Sequence, residues 1–590
     1  MTQAAQGVAD TSKDSPQPKT GTPAQGRYGH WFWGPLAASR SLYVQVLIAA
    51  LLTNVFALGT SIFTMIVYDR VLPHNAVDSL IALIVGVIVI FACDFVIRTL
   101  RGYILDVAGS RADMAIGDAL FDHVIELDMR AKRGSIGSLA NVMKEFESVR
   151  DFLTSATLTT LIDIPFALIF LAAVWMIGGP LVWVPLIVIP SILIVGLAVQ
   201  PAMRRLTESG QQDGQNKHTV LVESISGIET IKSLGIGPIM RARWQKAIAH
   251  QARIGLKTRF LGQISTNFSN LATQISQVAV VSMGVFMVAK GQIGMGAIIA
   301  CTILAGRAIG PLTQLSQLAT RANYSYASYK ALARLMNEPR EQRADPTAEP
   351  KQPADGSIDL LQLSFRYPQQ EKGGLEGIHL SIAAGERVAI VGRVGSGKTT
   401  LSRLLLSLYQ PTEGEVRIGG VNARDIDPGD LRRHIGVVMQ EIWLVSGTVR
   451  QNIALGAHRA SDEAILEAAR IAGVHDIVSG HPDGYNLMLG ERGEGLSGGQ
   501  RQAIAIARAL VGKPSILLMD EPSSAMDINA ERSLIERLKP ALGSSTLVLI
   551  THKATLLELV DRVIVMDQGR VMADGPKAQV LAASNARPGA

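Results

Sequence analysis

Arg387-Val-Ala-Ile-Val391 runs directly into Gly392-Arg-Val-Gly-Ser-Gly-Lys-Thr399, and then into Thr400-Leu-Ser-Arg-Leu-Leu-Leu406. The first stretch reads as a buried strand and the last as a helix. The turn between them has the strand–loop–helix context that a P-loop needs. Gly392, Gly395 and Gly397, with Ser396 among them, let backbone N–H groups turn inward on an anion. The N-terminus of the following helix, at Thr399 and Thr400, adds the positive end of its dipole. Lys398 is placed to reach the β- and γ-phosphates of a nucleotide, and the Thr399 hydroxyl to ligate Mg²⁺. The stretch therefore predicts an α/β domain that binds ATP with Mg²⁺.

A second element supports the first. Ser515-Ile-Leu-Leu-Met-Asp-Glu521 is an apolar strand that ends in two carboxylates. Asp520 suits the Mg²⁺ shell, directly or through water. Glu521 is placed to polarise an attacking water. Salt-bridging surface carboxylates are the plain alternative, but the apolar residues before them bury the strand.

The 590 residues are too many for one compact core. The composition is 48% hydrophobic, and the apolar residues concentrate in the first half. Six candidate membrane spans lie at about 43–67, 78–98, 157–177, 181–200, 265–288 and 293–314, each close to the roughly twenty residues a bilayer core requires. Gly178, Gly179 and Pro180 make a helical hairpin of the third and fourth. The net charge is +6. Its cations cluster in two long loops, 99–156 and 201–264, which favours an anionic membrane surface over nucleic acid as partner. By the positive-inside rule these loops and both termini face the cytoplasm.

Both loops carry helical stripes, Ile116, Leu120, Val124 and Leu127 in one and Leu221, Ile225, Ile228, Ile231 and Leu234 in the other. The turns near 136–145 and 223–234 are candidates to dock on the ATPase, or else the stripes only pack helices together. Asp94, Asp163 and Arg307 fall within or near spans. Such residues usually face a cavity or a partner, so they are candidates for the transport path or for a structural ion pair. Pro165, Pro185 and Pro190 are candidate kinks. Cys93 and Cys301 sit in apolar runs and read as buried thiols rather than a disulfide or a zinc site. Residues 1–40 read as a disordered tail, 41–337 as the membrane domain, 338–356 with four prolines as a linker, and 357–590 as the ATPase domain.

Beyond the P-loop, residues 358–580 resemble an ATP-binding cassette (ABC) nucleotide-binding domain, with its elements in the family's order. Leu496-Ser-Gly-Gly-Gln500 is similar to the family's signature, and Ser524-Ala-Met-Asp527 to its D-loop, with Met526 where Leu is more usual. Tyr367 matches the aromatic that stacks on adenine. Gln440 matches the glutamine that links Mg²⁺ and water to the membrane-domain contact, and His552 the switch histidine on the γ-phosphate. Gly490-Glu-Arg-Gly493 resembles the exporter segment that touches the membrane loops. Singly, each residue also fits a core or surface role; their joint order carries the resemblance. It implies that Ser497, Gly498, Gly499, Gln500 and Asp527 contact nucleotide across a dimer. A signature faces the P-loop of the opposite domain, and this chain has one of each, so a second copy is expected. The implied fold is a six-span α-helical membrane domain of exporter type fused to the cassette.

Asn54-Val-Phe-Ala-Leu58, Phe63-Thr-Met-Ile-Val-Tyr-Asp-Arg-Val71, Arg98-Thr-Leu-Arg-Gly-Tyr103, Glu145-Phe-Glu-Ser-Val-Arg-Asp-Phe152 and Ala573-Asp-Gly-Pro-Lys577 resemble type I secretion ABC proteins. That resemblance implies export of an unfolded polypeptide, often a large repeat-containing protein, across a bacterial inner membrane with a periplasmic adaptor and an outer-membrane channel. With about forty residues before the first span and no cysteine among them, no cysteine-peptidase domain is expected there. A lipid or small-molecule exporter is the alternative reading. An ATP-gated channel or regulator with little turnover is a third, disfavoured by Glu521.

Overall fold

The computed structural model describes residues 30–130, 136–154, 160, 162–341, 349–368 and 374–585. These form two units, one built from the chain up to Ile125 and from 136 to Asn337, the other from 126–130 and from Glu338 onward.

The first unit is helical. Its helices are α1 (Trp33–Ala38), α2 (Arg40–Ile66), α3 (Val77–Ile125), α4 (Ile136–Thr154), α5 (Ala167–Gly178), α6 (Trp183–Ser226), α7 (Ile228–Ser233), α8 (Gly237–Ala289), α9 (Met295–Thr313) and α10 (Leu315–Met336). Among the described residues, five helical runs are long and apolar enough to cross a bilayer: Arg40–His74, Val77–Ile125, Ile164–Ser226, Gly237–Ala289 and Met295–Thr313. The third breaks at Gly179, whose φ of +52° only glycine adopts readily. Ile164 before the break and Val188 and Leu193 after it pack on the same cluster around Ile192 and Ile309. That run therefore doubles back into two legs, which makes six among the described residues. At 49 and 53 residues, α3 and α8 are about 73 and 80 Å long, against a bilayer core of roughly 30 Å. Both must extend far beyond it.

Apolar side chains on α3 such as Ile84, Val85, Ile88 and Phe95 are exposed, as a lipid-facing surface should be. Helix contacts use small residues instead, which let backbones approach. Ser265, Ser269, Ala272 and Ser276 line the buried stripe of α8, and Gly284 lies so close to Ile298 that a Cβ would sit 2.8 Å from it. Asp69, in a π-helical turn (Val67–Val71) after α2, accepts a 2.7 Å hydrogen bond from the Gly296 N–H at the start of α9. A Cβ at Gly296 would meet the Met65 carbonyl at 2.3 Å.

Several expectations change here. The chain from Trp31 is not a tail: Phe32 is buried, and Trp31 stacks on Tyr329 at 5.9 Å between ring centroids. The stripe of Ile116 and Leu120 is buried with Val149 and Leu332, so it packs helices together. Residues 136–145 are helical, as the spacing of Ile136, Leu139, Val142 and Met143 calls for, and lie inside α4. The second stripe differs, since Ile225, Ile228 and Leu234 around α7 are exposed. Cys301 is buried but Cys93 is exposed on the apolar face of α3. Pro190 lies inside α6, whereas Pro165 sits in a 3₁₀ turn.

The second unit is α/β. Its strands are β1 (Ile358–Phe365), β2 (Leu375–Ile382), β3 (Arg387–Gly392), β4 (Glu413–Ile418), β5 (Val421–Asn422), β6 (Ile435–Val438), β7 (Gly447–Thr448), β8 (Met488–Leu489), β9 (Ile516–Asp520), β10 (Thr546–Ile550), β11 (Arg562–Asp567) and β12 (Arg570–Pro576). The main sheet has the order β12-β11-β3-β10-β9-β6, parallel except for the β11–β12 edge. Both faces are covered, so β9 and β10 are buried at every position. An antiparallel sheet, β2-β1-β4-β5, shares one core with α11 (Lys398–Leu405). The other core packs α12 (Gly498–Leu510) and α13 (Ile528–Ala541) on the sheet. Residues 126–130 run beside the segment after α10: Asp128 N–H donates to the Pro339 carbonyl at 3.0 Å and Glu341 N–H to the Glu126 carbonyl at 2.6 Å. Part of the expected linker, 342–348, lies outside the described residues.

Candidate active site

Parallel strands deliver their C-terminal ends to one edge of a sheet, where α/β proteins bind ligands. Here the register pairs Ile550 with both Ile390 and Asp520, and Met566 with Gly392. The P-loop after β3, Asp520 and Glu521 after β9 and His552 after β10 are thus neighbours because of strand order alone.

The P-loop has the shape its sequence calls for. Gly395 and Gly397 take φ of +84° and +99°. A Cβ at Gly392 would lie 2.1 Å from the Met566 carbonyl, so the loop sits hard against β11. Lys398 Nζ donates to the carbonyls of Gly392 and Arg393 at 2.7 and 2.8 Å and approaches the Ser396 hydroxyl at 3.3 Å. The ammonium thus closes the loop over the place where phosphate oxygens would bind. Burial pushes Lys398 below its ordinary range, against the opposing pull of Glu521 and Asp520.

Asp520 is 2% exposed and Glu521 9%. Burial pushes the Asp520 carboxyl up; a hydrogen bond with Thr399 and the charge of Lys398 oppose this, and the Glu521 carboxylate adds to it. Glu521 has φ of +51°, unusual for a residue with a side chain. Glu521 Oε1 lies 2.7 Å from His552 Nδ1. Asp520 Oδ2 and Glu521 Oε2 are buried with no hydrogen-bond partner among the described residues. Two orphaned carboxylate oxygens beside a lysine are costly for a finished interior and fit a site that receives a cation and water.

Tyr367 packs edge-on to Phe365 and Tyr409, with centroids 4.9 and 5.4 Å away. Its hydroxyl is 3.2 Å from Thr400 Oγ1 and accepts from Arg403 at 3.1 Å. It thus stands next to the P-loop helix. Gln440 is exposed, two residues past β6, whose register pairs Val438 with Met519.

The signature helix, α12, begins at Gly498. Ser497 is the N-cap: Gln500 N–H donates to its Oγ at 3.2 Å, and Ser497 N–H donates to Gln500 Oε1 at 2.9 Å. This capping box occupies Gln500 Oε1 and leaves the N–H groups of Gly498 and Gly499, with the Gln500 side-chain NH2, for an outside anion. Asp527 is also an N-cap, accepting from Ala530 N–H at 2.8 Å at the start of α13. A Cβ at Gly498 would sit 2.7 Å from Ala525, so signature and D-loop touch.

Two groups escaped sequence reasoning. Gln502 is buried, donates to the Glu521 carbonyl and to Ser524 Oγ, and accepts from Ala525 N–H. It ties α12 to the segment that carries the carboxylates. Its signal was present: a polar residue on the otherwise apolar face of α12. Glu531, 4% exposed on α13, accepts from Ser523 and Lys553 at 2.6 Å each and from Thr555. It holds the segment after His552 against the D-loop. Burial works to raise its carboxyl, but these bonds outweigh it and hold Glu531 below the usual range.

Residues 43–312 match the model of the ABC transporter transmembrane region, and residues 375–524 that of the ABC transporter. The leukotoxin export ATP-binding protein of Aggregatibacter actinomycetemcomitans is 33% identical over 93% of this chain and 78% of its own length. The toxin RTX-I translocation ATP-binding protein of Actinobacillus pleuropneumoniae is 33% identical over 94% of this chain and 78% of its own. The chain belongs to the ABC transporter family. Among solved structures, a bacterial Atm1-family ABC exporter with ATP bound superposes with a TM-score of 0.82 at 24% identity, covering 94% of this chain and all of that one. This ABC transporter therefore has the exporter fold, a multi-pass membrane domain fused to an ATPase, and couples ATP hydrolysis to transport.

Proposed function

We propose that this transporter is the ATP-driven inner-membrane component of a type I secretion system and exports an unfolded polypeptide. One observation carries the reading: similarity to toxin-translocation ATP-binding proteins runs through both domains at 33% identity. The P-loop cradles the phosphates of ATP, and Tyr367 stacks on the adenine. Thr399, Asp520 and Gln440 hold Mg²⁺, directly or through water. Phosphate oxygens and water would complete the shell of the ion. Glu521 polarises the attacking water, and His552 contacts the γ-phosphate.

The working unit is a homodimer. The P-loop leans on Met566, whereas Gly498 abuts Ala525; each waits for its counterpart on a second copy, with Ser497, Gly498, Gly499, Gln500 and Asp527 at the shared boundary. Closure of the ATPase domains passes to the membrane helices through the cytoplasmic turns, including the exposed apolar residues around α7. A periplasmic adaptor and an outer-membrane channel complete the path.

The test is deletion of the gene. Secretion of one large protein should stop while resistance to drugs stays unchanged. Lost drug resistance with intact secretion would favour export of lipids or small molecules instead.

A further inference from the structure

Of the ionisable residues singled out in the apolar half, Asp163 and Arg307 line one cavity of about 460 Å³, and Asp94 pairs with Arg98 of its lining. Asn54 on α2, Arg98 and Arg101 on α3, Asp163 before α5, and Arg307 and Gln314 on and after α9 line it. Its charges do not cancel. Arg98 pairs with Asp94 at 2.7 Å and Arg101 with Asp163 at 3.0 Å, and Asp163 also accepts from Asn54 at 3.3 Å. Arg307 is within electrostatic reach of Asp94 and Arg98 but makes no hydrogen bond or ion pair among the described residues. Three guanidinium groups against two carboxylates leave one positive charge.

The position makes that charge expensive. Arg307 lies eleven residues into α9 from Gly296, about 16 Å along the helix axis, within a bilayer core of roughly 30 Å. An arginine at such depth is costly to insert and marks a functional site by default. The wall beside it is open: a Cβ at Gly310 would meet nothing within 4 Å, and one at Gly306 only the end of Gln277 at 3.9 Å. Space, an unpaired planar fork of donors and a net positive charge are what a carboxylate needs. The volume admits a side chain and excludes a folded domain.

We propose that this pocket receives carboxylate groups of the passenger, the side chains of aspartate and glutamate, with Arg307 as their principal partner. The proposal rests on the polypeptide-export reading and narrows it: the path favours acidic segments.

The test uses the full-length protein in nanodiscs of zwitterionic phosphatidylcholine, with two labelled unstructured peptides of equal length, one carrying regularly spaced glutamates and the other glutamines there. The glutamate peptide should bind at least tenfold more tightly, which corresponds to about 1.4 kcal/mol. Arg307→Gln should erase that preference while leaving the glutamine peptide's affinity as it was. Arg307→Lys should keep part of it, since the charge stays and the fork is lost. Equal binding of both peptides, or a preference that survives Arg307→Gln, overturns the proposal but leaves polypeptide export standing. Binding of neither peptide overturns both. If phosphatidylglycerol in the nanodisc displaces the glutamate peptide from the wild type, and Arg307→Gln abolishes anionic-lipid binding, the pocket belongs to a lipid headgroup and the proposal falls.

Discussion

Glu521→Gln separates chemistry from binding. The side chain is 9% exposed, Oε1 faces His552 at 2.7 Å, and Oε2 is buried and unpartnered. An amide has the same shape and keeps an oxygen for His552, but it cannot take a proton from water. Loss of a general base typically costs 10²–10⁴ in rate, about 3–5 kcal/mol in barrier height. ATP binding rests on the P-loop and should persist. Folding should not suffer, because the change removes one of two adjacent buried carboxylate charges. The assay is paired: phosphate release at saturating ATP, and nucleotide retained after rapid filtration. Turnover should fall at least a hundredfold while retained ATP rises. Phosphate release within a few-fold of wild type would refute the role given to Glu521. Parallel loss of turnover and nucleotide binding would refute the claim that the two are separable.

Asp520→Asn should raise the Tm of the nucleotide-free protein near neutral pH. Its folded carboxyl is raised, so its contribution to stability falls as pH increases through that raised value, and the amide removes the effect; Mg²⁺-dependent hydrolysis should be lost in the same variant. Glu531→Gln should destabilise the ATPase domain by about 1–3 kcal/mol in denaturant titrations, since it weakens a buried acceptor of three donors. Because the Glu531 carboxyl is lowered, its contribution is complete above the ordinary carboxylate range and lost as pH falls through the folded value, so the variant should lose less stability on acidification than wild type. Asp69→Asn should cost about 1 kcal/mol by weakening the cap on α9, and Gly296→Ala more, because the new methyl would meet the Met65 carbonyl; Tm in detergent reads both.

What was legible in the sequence followed short-range rules. The strand before Gly392 and the carboxylates after Met519 could be placed because the loop between strand and helix is local, and strand order then brings the ends together. The hairpin at Gly178–Pro180 was legible for the same reason. What sequence could not show was where a side chain turns. Gln500 and Asp527 are each engaged at a helix N-terminus by a neighbour three residues away. Glu531 looked like any exposed helical carboxylate until the segment after His552 folded onto it. The aromatic run at Trp31–Trp33 read as tail because its partner, Tyr329, lies almost 300 residues away in the chain. Asp94, Asp163 and Arg307 were visible as anomalies, but their convergence with Arg98 and Arg101 needed three dimensions.

The capping box at Ser497 bears on why closure should need ATP. With Gln500 N–H and Ser497 N–H both satisfied internally, the signature offers an anion the amides of Gly498 and Gly499, the proton of the Ser497 hydroxyl and the Gln500 side-chain NH2. A helix terminus at a surface is worth roughly 0.3–1 kcal/mol to an anion, far too little to hold a nucleotide alone. The P-loop, with its own amides and Lys398, must therefore bind first and present the phosphate. On the proposed two-chain reading the signature adds its small increment only when a γ-phosphate reaches it. ADP lacks that group and leaves the increment unrealised. A weak second half-site is thus an advantage, because the closed state then depends on the bond that Glu521 is proposed to help break.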